Sequence, residues 1–411
     1  MINVAVLGYG TIGAGVVEVL DTNADSIEKK AGDRIVVKRI LDLRDFPGDP
    51  NQDKVVHDYK IIEEDEDIQV VVECMGGLEP AYTFVKTALL QGRSVATSNK
   101  ELVAKYGAEL IAIAGEKKVN FLFEASVGGG IPIIRPLTQC LTADVIEEIS
   151  GILNGTTNYM LTKMEEEGMA FDEVLKEAQE KGYAELHPEA DIEGYDACRK
   201  IAILTSLAYG RQVDFEDVHT EGITNITAED FQYARQMKKC IKLLGKSWSD
   251  DNGRLYAMVC PMLIDHYHPL AGVKDVFNAI FVHGNMVGDT MFYGSGAGKL
   301  PTASAVAADV VDCVKHMGTH IKMIWDQEKL ALSDFGSFER RYFVRMPKEV
   351  SLDAVEKAFG AVEPVKVDGI EETAFVTGVM KESDYHKAAD QFDNILNMIL
   401  SLIHISEPTR H

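Results

Sequence analysis

Short apolar runs separated by amphipathic stretches fill the first third of the chain. Residues 3–7 form one such run, which ends at Gly8-Tyr-Gly-Thr-Ile-Gly13, and the apolar positions of residues 15–20 then recur at helical spacing. Residues 34–41 predict a second strand. Residues 68–73 predict a third, after the acidic run 63–67. A helix over about 80–91, a strand at 94–97, a helix over about 99–114 and a strand at 120–124 complete the series. Strands alternating with helices at this spacing predict a parallel sheet covered on both faces, an α/β domain of the Rossmann type.

From about Pro136 the rhythm changes. Residues 145–153 predict a strand, 157–167 and 171–181 helices, and 255–264 and 276–283 further strands. This pattern predicts an α+β middle domain for substrate binding and dimerisation. The segment Gly294–Pro301 leads into an apolar helix, 303–317, predicted to pack back on the first domain. After 333–337 come a strand (341–346), a helix (352–359), strands at 362–367 and 373–379, and a helix over 384–400. That order resembles a small regulatory ACT-type module. The domain reading is therefore residues 1–135 with about 300–330 for dinucleotide binding, 136–299 for substrate and dimerisation, and 335–400 for the module. Residues 401–411, SLIHISEPTRH, change character abruptly; they are expected to be a non-native tail and carry no weight in the fold reading.

A chain of 411 residues holds about two or three domains. A net charge of −24 argues against binding nucleic acid or an anionic membrane surface. No apolar run approaches the ~20 residues that span a bilayer, and MINVAVLGYG has no basic region of the kind that opens a signal peptide. Six cysteines, at 74, 140, 198, 240, 260 and 313, lie far apart with no CxxC pair. That usage fits reduced thiols and predicts a cytoplasmic protein.

The densest chemistry lies between Lys181 and Lys200. Five carboxylates, Glu185, Glu189, Asp191, Glu193 and Asp196, crowd a stretch that Pro188 and the glycines make mostly loop. A helix beginning near Gly194 puts Asp196 and Lys200 at i,i+4 on one face. The plain account is a surface salt bridge beside an acidic loop; the first strand points elsewhere.

GxGxxG directly after a strand and opening a helix is a dinucleotide fingerprint. Gly8 permits the tight turn, Gly10 lets backbone approach a pyrophosphate, and Gly13 allows close helix–sheet packing, with Thr11 and Ile12 in the first helical turn. The anion would sit on free N–H groups at the helix N-terminus. Asp42, at the end of the second strand, can bind both ribose hydroxyls and repel a 2′-phosphate, which predicts a preference for NAD over NADP. Arg44 can accommodate a phosphate. Glu73-Cys-Met-Gly76-Gly77 and Thr97-Ser98-Asn-Lys100-Glu101 follow the next two strands at the sheet's ligand-binding edge. Ser98 with Glu101 has the spacing of a capping box, which puts Lys100 in the first turn of a helix, against its dipole. Asn154, Gly155 and Thr156 sit where a strand passes into a helix, with side chains and N–H groups suited to a cleft.

Together these pieces resemble homoserine dehydrogenase over about residues 1–330. The carriers are GYGTIG at 8–13, TSNK at 97–100, EASVGGGIPII from Glu124, GILNGTTNYML from Gly151, AxxxGYA…P…DIEGxDxxxK from Ala178 to Lys200, and GSGAGKLPTA from Gly294. The resemblance implies reversible NAD(P)-dependent interconversion of L-homoserine and L-aspartate 4-semialdehyde, in threonine, methionine and isoleucine biosynthesis. It implies Lys100 and Lys200 at the reacting oxygen, with Lys200 favoured as proton donor. Glu185, Asp191 and Asp196 match the substrate carboxylates, and Gly76, Thr97, Ser98 and Gly298 fall at cofactor contacts. It also implies a monovalent cation such as Na⁺ on the backbone carbonyls of Glu124, Val127, Gly129 and Ile131, and a homodimer or homotetramer. The length of the sequence argues against the form fused to an aspartate kinase, so a monofunctional enzyme is expected.

Three positions depart from the family pattern: His187 in the substrate loop, and Ser295 and Lys299 in the Gly-rich segment. The Asp-x-Pro-Gly turn of ACT units is missing, since Met346-Pro-Lys-Glu-Val350 lacks the glycine; this argues against inhibition by threonine. Two rival readings remain. Aspartate-semialdehyde dehydrogenase would need an activated cysteine, and no cysteine sits in such a motif. A non-catalytic sensor would not need both lysines and three carboxylates. The histidine pairs 266/268 and 316/320 lack a third ligand for zinc.

Overall fold

The computed structural model describes residues 1–250 and 252–401; most of the tail 401–411 therefore lies outside the described residues. The chain divides into two compact units. The first comprises Met1–Glu147, Ala202–Phe215 and Ala279–Leu330, and the second Glu148–Ile201, Glu216–Asn278 and the chain from Ala331 onward.

The first unit is built on a six-stranded parallel sheet in the order Val55–Val56, Ile35–Leu41, Ile2–Leu7, Ile68–Glu73, Ser94–Thr97, Phe121–Leu122. Strand order reverses between Ile2–Leu7 and Ile68–Glu73, which is the switch point where such sheets bind ligands at their C-terminal edge. Val4, Ala5, Val6 and Leu7 are fully buried, as are Val70, Val71 and Val72, which is what a sheet covered on both faces demands. Two helices, Thr11–Thr22 and Ala24–Ala31, fill the long gap before the second strand. Helix Lys299–Lys315 rests on the first of them. Contact is close because a Cβ on Gly15 would stand 2.9 Å from that of Ala303.

The second unit carries a mixed sheet in the order Ile146–Ile152, Lys239–Ser249, Leu255–Asp265, Asn397–Ser401, Glu339–Pro347, Glu372–Thr377, Val362–Val365. Lys239–Ser249 was not foreseen. Its two interior lysines suggest an exposed strand or a loop, yet both are buried: Lys242 donates to the carbonyl of Val273 (2.6 Å) and Lys246 meets Glu148 (2.9 Å). Helix Ala228–Gln236, also unforeseen, is tied in through Asp230, which pairs with the buried Arg345 at 2.8 Å.

The expected helix over 384–400 is two elements. Glu382–Ala389 is helical, and Asn397–Ser401 is a strand lying parallel to Leu255–Asp265 and antiparallel to Glu339–Pro347. The run ILNMIL carries no period that separates the two forms. Apart from the short strand Met380–Lys381, which pairs with the start of Glu339–Pro347, residues 339–401 thus follow the order β-α-β-β-α-β, with these four strands arranged fourth-first-third-second, and they extend the sheet of the second unit. No helix of the described residues is long and apolar enough to cross a membrane.

Candidate active site

At the first strand's end Gly8 has φ +91, and its N–H donates to the carbonyl of Leu41 at 2.8 Å. A Cβ on Gly13 would fall 1.8 Å from the carbonyl oxygen of Gly8, so only glycine lets the helix start this close to the strand. Gly10 faces open space just before Thr11 and Ile12 open the helix. The fingerprint therefore has the tight turn and the close helix–strand packing its spacing predicts.

Asp42 accepts from the N–H of Tyr9 (2.8 Å) and holds Arg44 by two bonds, from Nε (3.0 Å) and Nη2 (3.1 Å). The guanidinium and those N–H groups bring its carboxyl down to about 2. The two residues with opposite expected effects on the cofactor's 2′ position are thus paired to each other.

At the same edge Glu73 is fully buried. Its carboxylate accepts from the hydroxyl of Thr97 (2.6 Å) and from the N–H groups of Met75 (2.7 Å) and Gly76 (3.3 Å). Burial pushes its pKa up, against those bonds. One carboxylate therefore fixes both turns that carry Gly76, Thr97 and Ser98. Helix Lys100–Lys117 is capped not by Ser98 but by Asn99, whose side chain accepts from Leu102 N–H (3.1 Å) and donates to the carbonyl of Gly77 (2.6 Å). Lys100 remains the first helical residue. Gly298, at φ +115, precedes helix Lys299–Lys315, and Lys299 reaches Glu18 on the first helix (2.6 Å).

In the second unit, helix Tyr195–Tyr209 aligns Asp196 and Lys200, whose carboxylate and ammonium meet at 2.8 Å. Side-chain exposure is only 4% and 10%, so this is not the surface pair of the plain account. The ammonium also donates to the carbonyl of Leu153 at 2.7 Å. Asn154 caps helix Gly155–Glu167 through Thr157 N–H (2.9 Å), and its amide nitrogen donates to Asp191 (2.7 Å) and Asp196 (3.0 Å). One amide thus separates two carboxylates and leaves the lysine beside them. Thr156 donates to the carbonyl of Tyr183 (2.7 Å) and Gln179 to that of Glu185 (3.0 Å), which tethers the acidic loop. Glu185, Leu186 and His187 are exposed on it.

The turn Glu124–Ile131 is almost wholly buried. Its N–H groups at Ser126, Gly130 and Ile131 donate to the carbonyls of Phe123, Ser295 and Gly128. The Glu124 side chain is committed elsewhere, accepting from the N–H groups of Ile133, Ile134 and Arg135 at 2.6–3.0 Å. Among the described residues no three His, Cys, Asp or Glu side chains are grouped to hold a metal. His316 and His320 instead meet the carbonyls of Asp312 (2.9 Å) and Val119 (2.8 Å). Burial pushes the thiols of Cys74, Cys198, Cys240, Cys260 and Cys313 up, the opposite of an activated nucleophile.

Residues 132–311 match the family model described as homoserine dehydrogenase, and residues 8–124 the one described as homoserine dehydrogenase, NAD binding domain. A homoserine dehydrogenase of Bacillus subtilis is 43% identical over 323 residues, covering 77% of this chain and 73% of that one. The chain belongs to the homoserine dehydrogenase family. That of Mycobacterium bovis is 38% identical over 387 residues, 90% of this chain and 87% of its own. The crystal structure of a homoserine dehydrogenase from Thiobacillus denitrificans superposes with a TM-score of 0.88 at 36% identity, covering 98% of each chain. A hyperthermophilic archaeal homoserine dehydrogenase mutant in complex with NADPH aligns at 28% identity and TM-score 0.64, covering 76% of this chain and 97% of that one. The reaction of the family, reversible NAD(P)-dependent interconversion of L-homoserine and L-aspartate 4-semialdehyde in amino-acid biosynthesis, is the reaction of this chain.

Proposed function

We propose that Lys200 is the proton donor of this homoserine dehydrogenase. The observation that carries it is the ammonium held between the Leu153 carbonyl and the Asp196 carboxylate, almost out of solvent. An ammonium has three N–H bonds, and these two partners orient the third. Bound NADH or NADPH supplies the hydride that reduces the aldehyde carbon. Lys200 then offsets the charge developing on the oxygen and gives it a proton; in the oxidative direction it takes that proton back. Lys100 serves as a second catalytic lysine. Asp196 orients the lysine toward the substrate, while Asp191 and Glu185 take the substrate's α-ammonium. The helix N-terminus at Asn154, Gly155 and Thr156 takes its carboxylate.

In the first unit, Gly8, Gly10, Thr11, Ile12 and Gly13 hold the pyrophosphate, and Gly76, Thr97, Ser98, Lys100 and Gly298 line the rest of the cofactor. Asp42 favours NAD over NADP because its carboxylate is ionised and close to the fingerprint turn. A monovalent cation such as Na⁺ would sit on the carbonyls of Glu124, Val127, Gly129 and Ile131. Residues 339–401 form an ACT-like unit, and the protein is a cytoplasmic homodimer or homotetramer. The sequence offers two apolar strands, 255–264 and 276–283, as the interface; the first, Leu255–Asp265, lies inside its own sheet, whereas the second, Phe277–Gly284, forms with Gly288–Ser295 a hairpin that exposes Met286, Met291 and Tyr293. That hairpin is the better interface.

The test is oxidation of L-homoserine followed at 340 nm, with NAD and NADP in parallel and Lys200→Ala as control. Turnover favouring NAD, lost in the variant, supports both assignments. A clear NADP advantage overturns the reading of Asp42, and near-normal kcat in folded Lys200→Ala overturns that of Lys200.

A further inference from the structure

Away from the reacting groups, the first unit holds a cluster of charged side chains, and none of the proposed roles uses those side chains. Arg135 pairs with Asp309 through Nη2, donates from Nε to Asp312 (2.6 Å) and lies 3.4 Å from Glu124 through Nη1. Asp309 also accepts from the N–H of Glu124 at 2.8 Å, and the carboxylates of Glu124 and Asp309 are 2% and 3% exposed. Three carboxylates against one guanidinium are a poor way to stabilise a core, where apolar side chains of similar volume serve as well or better. Such a cluster does fix one geometry.

The fixed geometry is a two-point grip. At one end, segment 124–135 is clamped to Asp309 and Asp312 on helix Lys299–Lys315. At the other, Gly130 N–H donates to the carbonyl of Ser295 (3.1 Å), and Gly129 lies so close that a Cβ would stand 2.2 Å from the Gly296 carbonyl oxygen. Gly298, the proposed cofactor contact, lies between the two grips. The helix it precedes rests in turn on the fingerprint helix through Gly15 and the Lys299–Glu18 pair.

We infer that Arg135, Asp309 and Asp312 are positioning residues for the dinucleotide, holding the Gly296–Gly298 loop against it through segment 124–135. This rests on the reading of Gly298 as a cofactor contact. The test measures NADH affinity by fluorescence titration beside the KM for L-homoserine, in full-length Asp309→Asn, Asp312→Asn and Gly298→Ala. Asp309→Asn is expected to weaken NADH by about tenfold while the homoserine KM stays within about twofold. Asp312→Asn, at the cluster's edge, is expected to weaken it by about threefold, and it serves if Asp309→Asn does not fold. Unchanged NADH affinity in folded Asp309→Asn or Asp312→Asn, with Gly298→Ala weakened, overturns the inference alone. Unchanged affinity in Gly298→Ala overturns the reading beneath it. An equal loss in NADH affinity and homoserine KM overturns the inference too, because a general loosening of the fold produces that.

Discussion

Replacing Lys200 by methionine keeps the length of the side chain and removes its charge. The loss takes the ammonium away from Asp196, 4% exposed, whose carboxylate shares the Asn154 amide with that of Asp191. Removing one partner of a buried pair costs about 3–5 kcal/mol, and the lysine's residual exposure favours the lower figure. For a unit of this size that lowers Tm by roughly 6–12 °C. Activity should fall further: a positioned acid contributes about 10²–10⁴ in rate, so kcat for homoserine oxidation is expected to drop about 10³-fold, or ~4 kcal/mol. The second variant separates the two effects. Lys200→Met with Asp196→Asn removes both charges, so most of the lost Tm returns, to within about 1 kcal/mol of the wild type. Its kcat stays low because no proton donor has been restored. Thermal melts and initial rates at 340 nm on the wild type, both single variants and the double variant complete the cycle. The reasoning fails if folded Lys200→Met keeps kcat within about tenfold of the wild type. It also fails if kcat returns together with Tm in the double variant, since the lysine would then be structural.

Other expectations follow from the same geometry. Gly13→Ala should abolish NADH binding, because its methyl group must displace the Gly8 carbonyl; a fluorescence titration showing wild-type affinity contradicts the close packing. Arg44→Ala should free Asp42 from its bidentate partner and raise the NAD/NADP ratio of kcat/KM, and a fall in that ratio would reverse the roles given to the two residues. The Asp42 carboxyl is depressed to about 2 in the folded chain. Its contribution to stability is therefore fully present above the unfolded carboxylate range of ~4 and is lost as pH falls through about 2. Accordingly, Asp42→Asn and wild type should converge in stability as pH falls from about 4 toward 2; a difference that persists undiminished in acid contradicts the pairing. Asn154→Ala removes a helix cap worth about 1 kcal/mol and the amide's bonds to Asp191 and Asp196. The homoserine KM should rise by at least about tenfold, whereas an unchanged KM would exclude Asn154 from the substrate site.

Much of the site can be read from local spacing. Asp196 and Lys200 are one helical turn apart, and the fingerprint glycines lie directly after a strand, so short-range geometry alone brings each set together. The strand-helix alternation of the first unit is legible for the same reason. What stays hidden depends on distant partners. Glu124 meets Asp309 across a sequence separation of 185, and no local pattern marks either as buried. Lys242 and Lys246 make Lys239–Ser249 look solvent-facing, although carbonyls and a carboxylate supplied by other elements accept them in the interior. The Asn99 cap was missed in favour of Ser98 because both residue types cap helices, and only the Leu102 N–H distance decides between neighbours. Glu73 looks like the end of a strand; that its carboxylate braces two cofactor turns follows only from the adjacency of strands Ile68–Glu73 and Ser94–Thr97.

The place of Asn397–Ser401 bears on how the polypeptide matures. This strand is not an edge: it fills the slot between Leu255–Asp265 and Glu339–Pro347. While a nascent chain still lacks it, both neighbours present unpaired N–H and C=O groups, the kind of surface that recruits strands from other molecules. Completion of the sheet therefore waits on residues that leave the ribosome long after Lys200. Clipping by a protease just before Asn397 would reopen both edges at once, and the damage would show first as self-association, with every group of the active site still in the chain.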